Sequence, residues 1–182
     1  MVAKVIDKSP GHIVVAVPGS GLGRAFVYGG PYLRKSVKLV GVKLAGEVRK
    51  DCTIDFPIPN YGICDQSELL EAVAKAYALL LTDQQVYVGC VGGIGRTGLF
   101  LGVMAKVSHA YVPYGPEECG GAFDPVLFVR KHYLAHAIET SAQESLVRGI
   151  DVSGVVRWLK AFDEITAGSV PSREELPLVK RE

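Results

Sequence analysis

The stretch that decides the fold runs from Val86 to Gly102 and reads VYVGCVGGIGRTGLFLG. It places a cysteine, four glycines within nine residues and an arginine between an apolar strand pattern and an apolar helix pattern. A glycine-rich turn that joins a strand to a helix is a common anion-binding site, because backbone N–H groups and the positive end of the helix point at one place. The stretch therefore predicts an anion site beside Cys90.

Two nucleotide-binding interpretations fit this loop poorly. Its glycines spell G-x-G-x-x-G, but the acidic residue expected about twenty residues further on, Glu117, lies in a loop with no strand before it. The loop also has the length of a nucleotide P-loop, but Cys90 stands in place of the first glycine and Arg96 in place of the lysine. Both alternatives are therefore weak.

A third interpretation uses every residue of the loop. Cys90 and Arg96 are separated by five residues, and Thr97 follows. We expect the five intervening residues to wrap a tetrahedral oxyanion with their N–H groups pointing inward: Val91, Gly92, Gly93, Ile94 and Gly95. Arg96 supplies a planar fork for two phosphate oxygens. The same positive charges favour the thiolate form of Cys90, which predicts a nucleophile that forms a phosphocysteine intermediate.

The cysteines leave two alternatives open. Cys52, Cys64, Cys90 and Cys119 form no CxxC pair, which is typical of reduced thiols in a cytoplasmic protein. Cys90 could be an inert core residue, but a core cysteine has no need of an arginine across a glycine turn. Cys64 could pair with Cys90 on oxidation, although packing is the commoner role of such a residue.

The remaining sequence predicts an α/β fold in one domain. Strand patterns are followed by helix patterns and then by a run of helices, which predicts a small, mostly parallel central sheet flanked by helices. The predicted strands cover 12–17, 36–44, the start of 52–62 and 85–89, and helices begin near 65, 96 and 124, after 138–143 and after 151. We expect the domain to span residues 1–166, with a polar tail at 167–182 and with Trp158 in the core.

The composition excludes several classes of partner. The 182 residues are 48% hydrophobic and 21% charged, and the net charge is +1. This balance gives no reason to expect a nucleic acid or a membrane surface as partner. The N-terminus shows no signal-peptide pattern, and no segment has the length of a membrane span. The histidines have no metal-ligand spacing beyond one i,i+4 pair, His132 and His136, which lacks a carboxylate or cysteine partner. We expect a cytoplasmic protein without a metal or other cofactor.

The loop CVGGIGRTG resembles the signature loop of the protein tyrosine phosphatase superfamily, especially its compact dual-specificity members. The segment DFPIPNYG is similar to the acid loop of these enzymes, and VRKHYLAHAIETSAQESLV is similar to their downstream segment with a recurring Thr and Gln, here Thr140 and Gln143. The resemblance covers roughly Thr53 to Val147. It implies a dual-specificity phosphatase-like fold and hydrolysis of a phosphorylated protein or small phosphomonoester.

The resemblance also assigns roles to single residues. It makes Cys90 the nucleophile and Arg96 the phosphate clamp. Thr97 would donate a hydrogen bond to the sulfur and ease its departure in the second step. Gln143 would help to position the hydrolytic water.

The sequence departs from the family pattern at two positions. Gly89 stands where a histidine usually precedes the nucleophile, and Asn60 stands where the general-acid aspartate is expected. An amide cannot donate that proton, so Asn60 favours a second hypothesis, a pseudophosphatase that binds phosphorylated ligands. Asp55 and Asp65 could supply the acid, or could be a strand-end carboxylate and a helix cap. Arg24 is a further candidate for the phosphate pocket.

Overall fold

The computed structural model describes residues 11–19, 23–115 and 121–168, and these residues form five strands and five α-helices. The strands are β1 (Gly11–Ala16), β2 (Arg24–Pro31), β3 (Val40–Lys43), β4 (Ile54–Asp55) and β5 (Val86–Cys90). The helices are α1 (Gln66–Leu81), α2 (Gly95–Tyr111), α3 (Pro125–His132), α4 (Ser141–Gly149) and α5 (Ser153–Gly168). A 3₁₀ turn at Tyr32–Arg34 follows β2.

The strands form one sheet in the order β1-β2-β5-β3-β4. Only β1 and β2 pair in antiparallel fashion, while β2, β5, β3 and β4 run parallel. This confirms the prediction of a small, mostly parallel sheet flanked by helices. All five residues of β5 are buried, as expected for a central parallel strand. Cys90 ends β5 opposite Pro31 of β2, at the carboxyl edge where α/β sheets bind ligands.

Two strands differ from the sequence analysis. Strand β2 is not predicted. Within 36–44 only Val40–Lys43 forms a strand, and this strand is mostly buried although 36–44 mixes apolar and charged residues. Lys43 can be buried there because its ammonium is paired with the carboxylate of Asp55 at 3.0 Å. Arg24 begins β2, and the parallel register with β5 places it at the sheet end away from Cys90. The expectation that Arg24 lines the phosphate pocket is therefore wrong.

Three helices begin at residues whose side chains cap them; the caps at Asp65 and Asp124 are predicted, and the one at Thr140 is not. Asp65 caps α1, Asp124 caps α3 with a proline in its first turn, and Thr140 caps α4, each by accepting backbone N–H groups. Helix α2 is almost wholly buried, as its apolar sequence predicts. Trp158 on α5 is 39% exposed, so its predicted place in the core is wrong.

Glycines on α2 let the chain before α4 lie directly on this helix. A β-carbon at Gly98 would lie 2.7 Å from the backbone nitrogen of Ile138. A β-carbon at Gly102 would lie 2.9 Å from the Cγ1 atom of Val147. Such approaches are closer than real β-carbon contacts, so side chains here would push the α3–α4 loop and α4 away. Gly98 and Gly102 therefore allow the α3–α4 loop and α4 to pack directly on α2.

Some predictions fall on residues that the structure does not describe. Cys119 and Glu117 are among these residues, as is the segment 169–182 of the predicted tail. Helix α5 extends to Gly168, so residues 167 and 168 are helical. Within the described ranges, the helices are all too short or too polar to cross a bilayer.

Candidate active site

Two hydrogen-bond donors near the loop between β5 and α2 contact the sulfur of Cys90. The hydroxyl of Thr97 donates to Sγ at 3.2 Å, and the N–H of Gly93 donates to the same atom at 3.2 Å. The Thr97 oxygen also accepts the backbone N–H of Cys90 at 3.0 Å. Because these bonds join the end of β5 to the first turn of α2, the loop closes around the sulfur.

Gly93 is required by the shape of this loop. Its φ is +73°, in the left-handed region that side chains disfavour, and a β-carbon would lie 2.6 Å from the Cα of Gly30. Its carbonyl accepts a hydrogen bond from the hydroxyl of Tyr133. Burial, together with the nearby Cys90 and Tyr87, raises the pKa of Tyr133, so this phenol remains a donor.

Gly89 departs from the family pattern for a steric reason. A β-carbon at this position would lie 2.8 Å from the carbonyl oxygen of Gly30 and 2.9 Å from the Cα of Tyr32. The chain leaving β2 therefore occupies the space of any side chain here. A histidine before Cys90 would therefore collide with this backbone.

Arg96 is buried and anchored by a carboxylate that the sequence analysis does not identify. Its guanidinium makes two hydrogen bonds to Glu47, at 2.7 and 3.1 Å, and one to the carbonyl of Ile58 at 3.2 Å. Burial opposes its charge, but the bond to Glu47 and the proximity of Cys90 raise the pKa of Arg96. The same bond lowers the pKa of Glu47, so both partners stay ionised.

An open cleft of about 400 Å³ lies above Cys90. It brings together the β5–α2 loop, Asn60 and two glutamates. The lining residues are Glu47, Asn60, Tyr61, Cys90, Val91, Gly92, Ile94, Arg96 and Glu139. Asn60 therefore lines the same cleft as Cys90 and Arg96.

Tyr61 stands at the mouth of this cleft in an unusual backbone conformation. Its φ is +57°, within a turn closed by the N–H of Gly62 and the carbonyl of Pro59 at 3.0 Å. A non-glycine residue in this region is uncommon. Its ring is exposed and lines both the cleft and an adjoining depression of about 530 Å³.

Neither of the two aspartates considered as substitute acids lines the cleft. Asp55 is paired with Lys43 at the end of β4. Asp65 accepts hydrogen bonds from the side chain of Ser67 and from the backbone of Ser67 and Glu68, and these bonds lower its pKa. Their contacts are those of a strand-end carboxylate and a helix cap.

Gln143 connects two walls of the cleft. Its amide nitrogen donates to the carbonyl of Gly62 at 3.1 Å, and its amide oxygen accepts the backbone N–H of Glu139 at 3.0 Å. Thr140 accepts the N–H of Gln143 at 3.2 Å and so fixes the start of α4. Gln143 is fully buried, and it joins the segment at Gly62 to the segment that carries Glu139.

Glu139 is the second glutamate that the sequence analysis does not identify. Its carboxylate lies against Gly95, where a β-carbon would collide with it. The residue belongs to the downstream segment quoted above, but only folding brings that segment to the first turn of α2.

Cys64 shows the features of a packing residue. It is half-buried against the core, and burial, with the charges of Asp65 and Glu68, raises its pKa to about 11. The thiol is therefore protonated near neutral pH and reacts slowly with oxidants. Pairing of Cys64 with Cys90 under oxidation stays a prediction.

No family model matches the sequence. Among curated proteins, the chain is 32% identical over 97 residues to the uncharacterized protein MJ0215 of Methanocaldococcus jannaschii, covering 52% of this chain. It is 31% identical over 97 residues to the uncharacterized protein MJECL20 of the same organism. The chain spans about half the length of the curated relatives it matches, 52% and 56% respectively.

Two solved structures resemble the fold at low sequence identity. The crystal structure of Tk-PTP in the active form has a TM-score of 0.49 at 17% identity, covering 75% of this chain and 90% of that chain. The crystal structure of P. aeruginosa TpbA has a TM-score of 0.48 at 17% identity, covering 74% of this chain and 86% of that chain.

Proposed function

We propose that this protein hydrolyses phosphomonoesters through a phosphocysteine intermediate on Cys90. The observation that carries the proposal is the environment of the Cys90 sulfur. The sulfur lies at the base of an open cleft, accepts hydrogen bonds from Gly93 and Thr97, and shares the cleft with the guanidinium of Arg96. A cysteine that only packs the core requires neither a cleft nor a buried cation.

In the first step, the thiolate of Cys90 attacks phosphorus. An S–P bond forms, the bond from phosphorus to the leaving oxygen breaks, and its electron pair goes to that oxygen. We expect the N–H groups of residues 91–95 and the N-terminus of α2 to bind the phosphoryl oxygens.

Arg96 retains donors for the substrate. Its bonds to Glu47 and Ile58 use three of its five N–H groups. The Nε–H and one N–H on Nη2 remain, and they form one edge of the planar fork. This edge suits two oxygens of a phosphoryl group. Glu47 thus fixes the orientation of Arg96 without occupying the edge that binds phosphate.

In the second step, water attacks phosphorus and the S–P bond breaks. Orthophosphate leaves, and the electron pair returns to the sulfur of Cys90. The Thr97 hydroxyl already donates to this sulfur, which stabilises the departing thiolate. Gln143 keeps one amide hydrogen and one lone pair beyond its bonds to Gly62 and Glu139, so it can also position the water.

The substrate class that fits is a phosphorylated protein or a small phosphomonoester, as in tyrosine and dual-specificity phosphatases. The exposed ring of Tyr61 offers an aromatic surface at the mouth. Residues 91–95 carry no charge, and the cleft holds Glu47 and Glu139 beside its one arginine. This balance favours a single phosphate group over polyphosphates or phosphoinositides.

A binding module is the second candidate, and Asn60 is the observation in its favour. A module that only captures phosphorylated ligands would need Arg96 but not the hydrogen-bonded thiol of Cys90. The environment of the sulfur therefore favours the enzyme.

Replacement of Cys90 tests the proposal. We expect Cys90→Ser to lower phosphate release from 4-nitrophenyl phosphate by more than about a thousandfold, because the nucleophile is lost. Binding of inorganic phosphate, measured by calorimetry, should persist. Cys52→Ser is the matched control, since Cys52 does not line the cleft. Equal release by Cys90→Ser and the unmodified chain would refute the enzyme. Negligible release by both, with phosphopeptide affinity retained, would favour the binding module.

A further inference from the structure

We propose that Glu139 donates the proton to the leaving group, the role that Asn60 cannot fill. The inference rests on the proposed function. Asn60 lines the cleft but carries no acidic proton, so a phosphatase built on this cleft needs another donor for poor leaving groups. The carboxylates that line the cleft are those of Glu47 and Glu139.

The other carboxylates near the cleft are bonded to other groups of the protein. Glu47 is bound to Arg96 through both oxygens, which lowers its pKa and holds it in the ionised form. Asp65 caps α1, and Asp55 is paired with Lys43. Within the described part of the chain, Glu139 forms no ion pair, so it can exchange a proton without breaking one.

The position of Glu139 suits the geometry of the displacement. In an in-line transfer the leaving oxygen lies on the side of phosphorus opposite the attacking sulfur. Cys90 is at the base of the cleft, so the leaving group points to its mouth. Glu139 lies between the cleft and the adjoining depression, and it lines both of them. A leaving group that extends into that depression passes the Glu139 carboxylate.

The backbone before Glu139 is held in a strained conformation. Ile138 has a φ of +64°, which for a β-branched residue is a genuine outlier. Arg130 fixes this turn by donating to the carbonyl of Ala137 at 3.0 Å and to that of Ile138 at 2.9 Å. Gln143 accepts the N–H of Glu139 from the other side. Strain of this kind persists where surrounding contacts impose it, and it clusters at functional sites.

Helix α2 has glycines, and so no side chains, where the segment that carries Glu139 packs against it. A β-carbon at Gly95 would collide with the Glu139 carboxylate and would lie 3.2 Å from the amide oxygen of Gln143. A β-carbon at Gly98 would lie 2.7 Å from the backbone nitrogen of Ile138. The two glycines of the GRTG sequence therefore allow Glu139 to reach the cleft.

The proton moves in both steps of the reaction. While the Cys90 sulfur bonds to phosphorus and the ester bond breaks, the leaving oxygen takes the proton of the Glu139 carboxyl and departs as a neutral alcohol or phenol. The Glu139 carboxylate then takes a proton from the attacking water, whose oxygen bonds to phosphorus as the S–P bond breaks. The cycle ends with a protonated Glu139, a Cys90 thiolate and orthophosphate.

Substrates with different leaving groups test this role. We expect Glu139→Gln to lower kcat/KM by about 100-fold for phenyl phosphate but by less than about fivefold for 4-nitrophenyl phosphate, whose phenolate leaves without a proton. Glu71→Gln, which removes a charge from the exposed face of α1, is the matched control and should change neither substrate.

Adding Asn60→Asp to Glu139→Gln should restore at least about tenfold of the lost phenyl phosphate turnover, because position 60 lines the same cleft.

The outcomes separate this inference from the proposed function. Loss of equal size on both substrates, no loss, or faster turnover in Glu139→Gln would overturn the role of Glu139 while Cys90-dependent turnover stands. Absence of Cys90-dependent turnover in the unmodified chain would overturn the proposed function and the role of Glu139 together.

Discussion

Residues that lack a side chain shape the site of this protein as much as those that carry a functional group. Gly93 allows the left-handed turn in the β5–α2 loop, and Gly89 allows the chain at Gly30 and Tyr32 to pack directly against β5. Both positions lie beside Cys90, and at both a β-carbon would meet backbone atoms that cannot rotate away.

Gly89→Ala tests this steric argument. The added β-carbon would lie 2.8 Å from the carbonyl oxygen of Gly30, so we expect a loss of about 1–3 kcal/mol in the free energy of unfolding. Urea denaturation provides the measurement. Gly92→Ala is the control, because the nearest atom to its β-carbon, on Ile94, is 3.8 Å away. Equal stability of the two variants would contradict the argument.

The site residues that spacing alone predicts are those close together along the chain. Cys90, Arg96 and Thr97 fall within eight positions, so the spacing alone indicates that they share one loop. Glu47 and Glu139 come from segments more than forty residues away on either side. A buried arginine predicts that some carboxylate must pair with it. Which carboxylate does so depends on the path of the chain between β3 and β4.

At the scale of the elements, helix boundaries are predictable from the sequence and strand boundaries are not. Asp65, Asp124 and Thr140 cap helices through bonds that span two or three residues, so their signals are local. A strand forms through hydrogen bonds to a neighbouring strand, which can be distant along the chain. Strand β2 contains two glycines and ends in a proline, and it is fixed by pairing with β5 more than fifty residues later. The order of strands likewise depends on contacts that no local pattern contains.

Asp65 is predicted to act only as the cap of α1. We expect Asp65→Ala to lower the melting temperature by about 2–4 °C, the effect of losing a typical N-cap. Asp65→Ser should retain most of the stability, because serine is also a good cap. The value of kcat/KM for phenyl phosphate should be unchanged in both variants. A large fall in kcat/KM in both variants would instead identify Asp65 as the general acid.

At the scale of the whole molecule, hydrogen-bonded carboxylates stabilise the fold at separate places. Arg96 lowers the pKa of Glu47, and Arg148 and Arg130 lower that of Glu144. Burial opposes ionisation of Asp124, but its bonds to Arg148 and to the backbone of α3 lower its pKa. These contacts join α3 to α4 and fix Arg96 in the site.

Stability should therefore fall in acid. A carboxyl whose pKa is lower in the folded state stabilises the fold above its unfolded pKa, and this contribution is lost as the pH falls through the folded pKa. We expect the urea midpoint to be nearly constant from about pH 7 to 5 and to fall below about pH 4, where unfolded carboxyls bind protons. Asp124→Asn should reduce that dependence. A midpoint that does not change down to pH 3 would contradict the prediction.

The bridge made by Gln143 has a consequence for access to the site. One amide group is bonded at both ends to main-chain atoms, those of Gly62 and Glu139, so a single side chain fixes the separation of these two segments. Glutamate could not replace it, because a carboxylate offers no hydrogen to the carbonyl of Gly62. Under the proposed function, this fixed separation would limit the cross-section of the ester that can reach Cys90.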